Sequence, residues 1–124
     1  MSRYLLDTHI LLWWLYDDPK LPEKYCQIIA KSSNTIVISV ASLWEIEIKR
    51  AINKLTVDPL YIEAINKEDF ILLNIEAAHI LQLRELPVHH NDPFDRILIS
   101  QAQSEKMHFL SVDKSVLLYD DYTK

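Results

Sequence analysis

Short apolar runs alternate with longer amphipathic stretches along this 124-residue chain. Tyr4-Leu5-Leu6 is a buried-strand pattern that stops at Asp7. Residues 10–16 are apolar enough for a buried helix, which Asp17-Asp18-Pro19 should end. A second helix is predicted over 23–31, after Pro22. The β-branched run Thr35-Ile36-Val37-Ile38 predicts a second strand. Ser39 or Ser42 then opens a helix that reaches about Asn53, and Pro59 starts another over 59–66. A third strand is predicted at 70–73, a helix over 76–84, a strong helix over 93–106 and a fourth strand at 108–111. Strands that alternate with helices predict an α/β fold with a parallel sheet.

In open parallel sheets, sites form beyond the carboxyl ends of the strands. Asp7 follows the first predicted strand, Asp113 follows the last, and Glu45 lies on the helix after the second. Asp95 lies in the first turn of the strong helix. At about 100° per residue, it falls within the stripe formed by Leu98, Ile99 and Ala102. An unpaired carboxylate facing a core is costly. Converging carboxylates repel and call for a cation, and hard oxygen ligands without a cysteine cluster suit Mg²⁺ or Mn²⁺.

Each acid also has a plainer reading. Asp95 could simply complement the positive end of its helix. Asp92-Pro93-Phe94-Asp95 has the grammar of a helix start, with Asp at the N-cap and Pro at N1, so capping is the better reading of Asp92. Asp92 remains an accessory candidate that could touch a metal or its water. Glu45 is expected beside Ala41, Ile48 and Ile52, and could pair with Lys49 one turn on. Asp7 and Asp113 could each cap a following segment.

Composition bounds the rest. A chain of this length is expected to form one domain, 1–124, with a hydrophobic core. Cys26 stands alone and reads as a small semi-buried side chain. No apolar run is long enough for a membrane span and none looks like a signal peptide, so a cytoplasmic protein is expected. The absence of glycine excludes the Gly-rich phosphate loops and the dinucleotide fingerprint. The net charge of −5 looks wrong for a nucleic-acid partner, but two bound divalent cations would leave only −1.

The five histidines show no H-x₃-H pair, which argues against zinc. His9 and His90 are the two nearest the acids. Trp13, Trp14 and Trp44, with Tyr16 and Phe94, read mostly as core, although one of the adjacent tryptophans could reach the surface and anchor a partner.

Tyr4-Leu5-Leu6-Asp7-Thr8-His9, Ser42-Leu43-Trp44-Glu45-Ile46, His90-Asn91-Asp92-Pro93-Phe94-Asp95-Arg96 and Ser111-Val112-Asp113 together resemble the PIN domain, and more closely the VapC-type toxins of bacterial toxin–antitoxin modules. The resemblance spans almost the whole chain, in order, and its most specific segment is Asp-Pro-Phe-Asp-Arg. It implies a three-layer α/β/α fold with a mainly parallel sheet. It also implies a Mg²⁺- or Mn²⁺-dependent endoribonuclease whose metal-binding and catalytic acids are Asp7, Glu45, Asp95 and Asp113. Thr8 and Ser39 become supporting polar groups. Asp113 departs from the pattern in which Thr often precedes the fourth acid, since Ser111 lies two residues before it. Such toxins typically form homodimers and are blocked by a small antitoxin, for which Trp13, Trp14 and the early helices are the contact candidates.

The resemblance implies that the acids hold one or two ions, which would lower the pKa of a bound water and stabilise the leaving 3′ oxygen. Products then carry 5′ phosphate and 3′ hydroxyl. Arg3, Lys49 and Arg96 are candidates for RNA backbone contacts, against the plainer reading of solvated helix faces. Rival functions fit less well. A phosphotransfer receiver needs an acceptor Asp after the third strand, where this chain has Asn74, and a dehalogenase-like phosphatase needs an acid where it has His9. A serine nucleophile elbow is missing. A non-catalytic interaction module of the same fold is the rival from another class.

Overall fold

The computed structural model describes residues 2–88 and 91–114. Among the described residues, four strands form one all-parallel sheet: β1 (Arg3–Leu6), β2 (Thr35–Ser39), β3 (Ile71–Leu73) and β4 (His108–Leu110). Their order across the sheet is β3-β2-β1-β4. The helices between them are α1 (Thr8–Leu15), α2 (Glu23–Ala30), α3 (Val40–Ala51), α4 (Tyr61–Lys67), α5 (Ala77–Leu81) and α6 (Pro93–Glu105). The segment predicted as helix over 76–84 is α5 followed by a tighter 3₁₀ turn at Gln82–Glu85. The helix expected from Pro59 begins at Tyr61, because Asp58 first closes a turn with the Leu60 and Tyr61 amides.

Strand alternation divides the core into two layers. Leu6, Ile36, Ile38 and Leu110 face one side, where they meet Ile10 and Leu11 of α1, Ile29 of α2 and Ile65 of α4. Leu5, Val37 and Phe109 face the other, against Ile97, Leu98, Ile99 and Ala102 of α6. The result is the three-layer α/β/α arrangement. The inner strands β1 and β2, covered on both faces, read as continuous apolar runs for that reason, whereas Ile71 and Leu72 of the edge strand β3 are exposed. Burying each large aliphatic side chain contributes about 1.5–3 kcal/mol relative to leaving it exposed.

Without glycine, the left-handed backbone positions fall to Asp17 (φ 51°), Asn53 (φ 59°) and Lys106 (φ 56°). Asp and Asn tolerate this region through local hydrogen bonding, whereas Lys at the end of α6 has no such relief.

The strand order fixes where a site can form. From β1 the chain moves to β2 and β3 on one side, then returns to place β4 on the other side of β1. The crevice between the carboxyl ends of β1 and β4 is therefore a topological switch point, the favoured ligand position in open α/β sheets.

Candidate metal centre

Asp7 leaves β1 at this switch point. Its amide continues the ladder by donating to the Leu110 carbonyl at 3.0 Å, and its own carbonyl accepts from Leu11 as α1 begins. It occupies the N-cap position, yet its side chain makes no cap hydrogen bond. The carboxylate instead accepts from Ser111 Oγ at 2.7 Å and is buried. Burial pushes its pKa above the ordinary value, and the neighbouring Glu45 charge adds to that; the Ser111 bond and His9 pull the other way.

Glu45 is only 3% exposed. The buried stripe of α3 is Ala41, Ser42, Glu45 and Ile46. This corrects one sequence expectation: Ile48 and Ile52 are exposed, not packed beside Glu45. Trp44 is exposed too, and forms with Ile48 and Ile52 an i, i+4, i+8 apolar row on the outer side of α3. Glu45 Oε1 accepts from Thr8 Oγ1 at 2.7 Å, and that hydroxyl lies 2.9 Å from Ser42 Oγ. Glu45 Oε2 accepts from Lys49 Nζ at 2.6 Å. The plainer pairing and the inward placement of Glu45 thus coexist.

Asp95 lies on the buried stripe of α6, as its spacing predicts. Burial, then the charges of Asp7, Asp92, Glu45 and Asp113, push its carboxyl up to about 8. Asp92 caps the helix: its Oδ1 accepts from the amides of Phe94 at 2.9 Å and Asp95 at 3.1 Å. Asp113 is exposed, but its amide donates to Ser111 Oγ at 3.1 Å, so one serine ties it to Asp7. Tyr25 in turn donates to the Ser111 carbonyl at 3.0 Å, fixing that turn from α2.

The structure brings Asp7, Glu45 and Asp95, with Thr8 and Asp92, to one sheet edge, and Asp113 joins them at the rim. Ser39 does not support the acids: its hydroxyl caps α3 by accepting from Ala41 N at 3.0 Å. Two groups escaped the sequence reading, Ser111 as the bridge and Ser42 beneath Thr8. Only a fold could reveal either, since serine carries no directional signal in sequence.

Among the described residues, no three His, Cys, Asp or Glu side chains stand close enough to hold an ion as they are. Both Glu45 oxygens accept hydrogen bonds, from Thr8 and Lys49, and Asp7 accepts one from Ser111. The donor chemistry still fits a hard divalent cation. Burial first, and then the charges of four neighbouring carboxylates, disfavour the ionised form of Asp95, and a divalent cation would offset both. Burial works against the charge of Lys49, the cation in place beside Glu45, but Glu45, Asp92 and Asp95 outweigh it and raise its pKa.

A sequence profile of the PIN domain matches residues 4–121. The chain belongs to the PIN domain family. This PIN domain is also similar in fold to solved structures, among them the crystal structure of VapBC2 from Rickettsia felis bound to a DNA fragment from their promoter. That match has a TM-score of 0.69 and 17% sequence identity, and covers 98% of this chain and 93% of the other. No curated protein matches the chain significantly by sequence.

The remaining candidates sort by position. Arg3 lies at the amino end of β1, opposite the acids, and bonds the Glu105 carbonyl, so it cannot serve a substrate at the switch point. Arg96 donates to the Pro87 carbonyl at 3.1 Å. His9 is exposed beside Trp13, with ring centres 6.1 Å apart, while His90 lies outside the described residues. His79 is fully buried, accepts from the Glu76 amide and bonds Glu105 at 2.7 Å, a structural role. Trp13 and Trp14 are half-buried and line a 220 Å³ cleft with Asp17, Asp18 and Glu68, and Trp14 Nε1 donates to Glu68 at 3.1 Å. Trp44 and Tyr16 overturn the core expectation, being 58% and 50% exposed. Trp44 meets half-buried Phe94 edge-on at 5.2 Å, which joins the outer side of α3 to the first turn of α6. No helix among the described residues is long and apolar enough to cross a membrane.

Proposed function

We propose that this PIN domain is a Mg²⁺- or Mn²⁺-dependent endoribonuclease of the VapC type, the cytoplasmic toxin of a toxin–antitoxin pair. The observation that carries the reading is the convergence of Asp7, Asp92, Glu45 and Asp113 on buried Asp95 at the switch point, which together with burial raises the pKa of its carboxyl. Asp7, Glu45 and Asp95 would hold the cation, with Asp113 at the open rim. When bound, a divalent cation supplies Lewis-acid activation of water and of a phosphodiester oxygen.

The chain's own groups do the positioning. Ser111 orients Asp7 and anchors the Asp113 backbone. Thr8 orients Glu45. Asp92 fixes the first turn of α6 and therefore the direction of Asp95. Burial of Asp7, Glu45 and Asp95 strengthens their hold on a cation, because charge interactions are less screened there.

The fold shared with a toxin–antitoxin complex supports an antitoxin partner. We assign a small antitoxin as the natural cover of the Trp13–Trp14 cleft, and a second copy of the chain as the homodimer partner. Purified, antitoxin-free protein incubated with a mixed cellular RNA pool tests the nuclease. Discrete cuts in Mg²⁺ or Mn²⁺ that vanish with EDTA and with Asp95→Asn support it. A folded protein that binds metal and cuts nothing in the pool favours the interaction module instead.

A further inference from the structure

We propose that Lys49 is a built-in counter-ion of the carboxylate site and exchanges with the incoming divalent cation at Glu45. The proposal rests on the metal-dependent reading above and adds the residue that sets how tightly the metal is held.

Both oxygens of Glu45 are taken, but by unequal partners. Oε1 receives the Thr8 hydroxyl at 2.7 Å. Thr8 is 3% exposed and short, and its oxygen also contacts Ser42 on the same helix as Glu45. That contact has nowhere to go. Oε2 receives the Lys49 ammonium at 2.6 Å. The Lys49 side chain is 33% exposed, against 4% for that of Glu45. Its four-carbon stem is flexible, and its ammonium is a strongly hydrated point charge that gains from reaching water.

An ammonium can neutralise a carboxylate but has no lone pair or vacant orbital with which to organise ligands. A divalent cation at Oε2 would stand against the ammonium within a few ångströms, and the two positive charges cannot share the oxygen. Lys49 is the group free to leave, because its stem runs to the surface while Thr8 is enclosed. In the metal-free protein the ammonium thus keeps Glu45 from adding its full charge to those of Asp7 and Asp95. In the loaded protein the cation takes over that task and Lys49 turns outward.

Calorimetric titration of Mn²⁺ into the full chain tests this. The proteins are wild type, Lys49→Gln, the charge-retaining Lys49→Arg and, as a control for a cation lost from the same region, Lys54→Gln. Lys49→Gln should bind Mn²⁺ about tenfold tighter or more, because a competing unit charge beside the ion is gone. Lys49→Arg should stay near wild type, and Lys54→Gln should not change. In EDTA, Lys49→Gln should melt below wild type, and Mn²⁺ should close that gap. Lys49→Met carries the same expectation should the Gln variant fold poorly. Equal or weaker Mn²⁺ binding by folded Lys49 variants would overturn the exchange while leaving the metal site standing. Folded wild type and variants that all ignore Mn²⁺ would remove the metal-dependent reading, and this proposal with it.

Discussion

Replacing Asp95 by Asn should make the metal-free protein more stable at alkaline pH. The carboxyl's ordinary value of 3.8 rises to about 8 in the folded chain, first through burial and then through Asp7, Asp92, Glu45 and Asp113. At full strength a change of that size corresponds to about 6 kcal/mol between the protonation states. Water at the mouth of the site and salt screen part of this, leaving about 1–3 kcal/mol. Because the folded value is raised, the folded state holds the proton more tightly than the unfolded chain. Below about pH 4 both states are protonated and the group is silent. Between about pH 4 and 8 the unfolded chain has released its proton while the folded one resists, so stability falls as pH rises. Above about pH 8 the full penalty is present. Asparagine mimics the neutral acid and escapes it. Urea denaturation in EDTA from pH 5 to 8.5 reads the difference between the two proteins, which cancels the other titrating groups. The variant's advantage should grow across that range to about 1–3 kcal/mol at pH 8.5. A variant that is equally or less stable than wild type at pH 8.5 would refute the claim that burial and the surrounding carboxylates together penalise the ionised form of Asp95.

Other expectations follow from single contacts. Ser111→Ala removes the donor to Asp7 and the acceptor for Asp113, and should cost about 1.5–3 kcal/mol in urea denaturation together with weaker Mn²⁺ binding by calorimetry. Asp92→Ala should cost about 1 kcal/mol through the lost cap, whereas Asp92→Asn should recover most of that loss in thermal melts. Lys106→Gly, at the left-handed end of α6, should gain about 0.5–1 kcal/mol by the same denaturation assay, with no effect on Mn²⁺ binding.

The sequence made the sheet legible because each strand is an apolar run flanked by polar punctuation. All four were placed to within one or two residues, and a parallel sheet covered on both sides is the arrangement that produces such runs. Asp95 was legible for a similar reason: a carboxylate on an apolar helical stripe has few innocent explanations. The α3 helix was harder. Its apolar residues lie on two sides, so the sequence does not separate Ile48 and Ile52 from the buried stripe, where only Ala41 and Ile46 join Ser42 and Glu45. Trp44 misled for a related reason, since aromatic character does not say which side of a helix meets the sheet. Ser111 and Ser39 show the limit most clearly. Both are small hydroxyls at strand ends, yet one links the Asp7 carboxylate to the Asp113 amide and the other caps a helix, a difference set by which groups the fold brings within hydrogen-bond reach.

The chemistry of the cut ends tests the nuclease reading most directly. RNA fragments made by the purified protein in Mn²⁺ can be probed with a 5′-phosphate-dependent exonuclease and with ligation to their 3′ ends. Water-driven displacement at the carboxylate site predicts 5′ phosphate and 3′ hydroxyl ends, with cutting abolished by EDTA and by Asp95→Asn. Cutting that survives EDTA, or ends carrying 2′,3′-cyclic phosphate and 5′ hydroxyl, would show attack by the RNA's own 2′ hydroxyl and contradict the account.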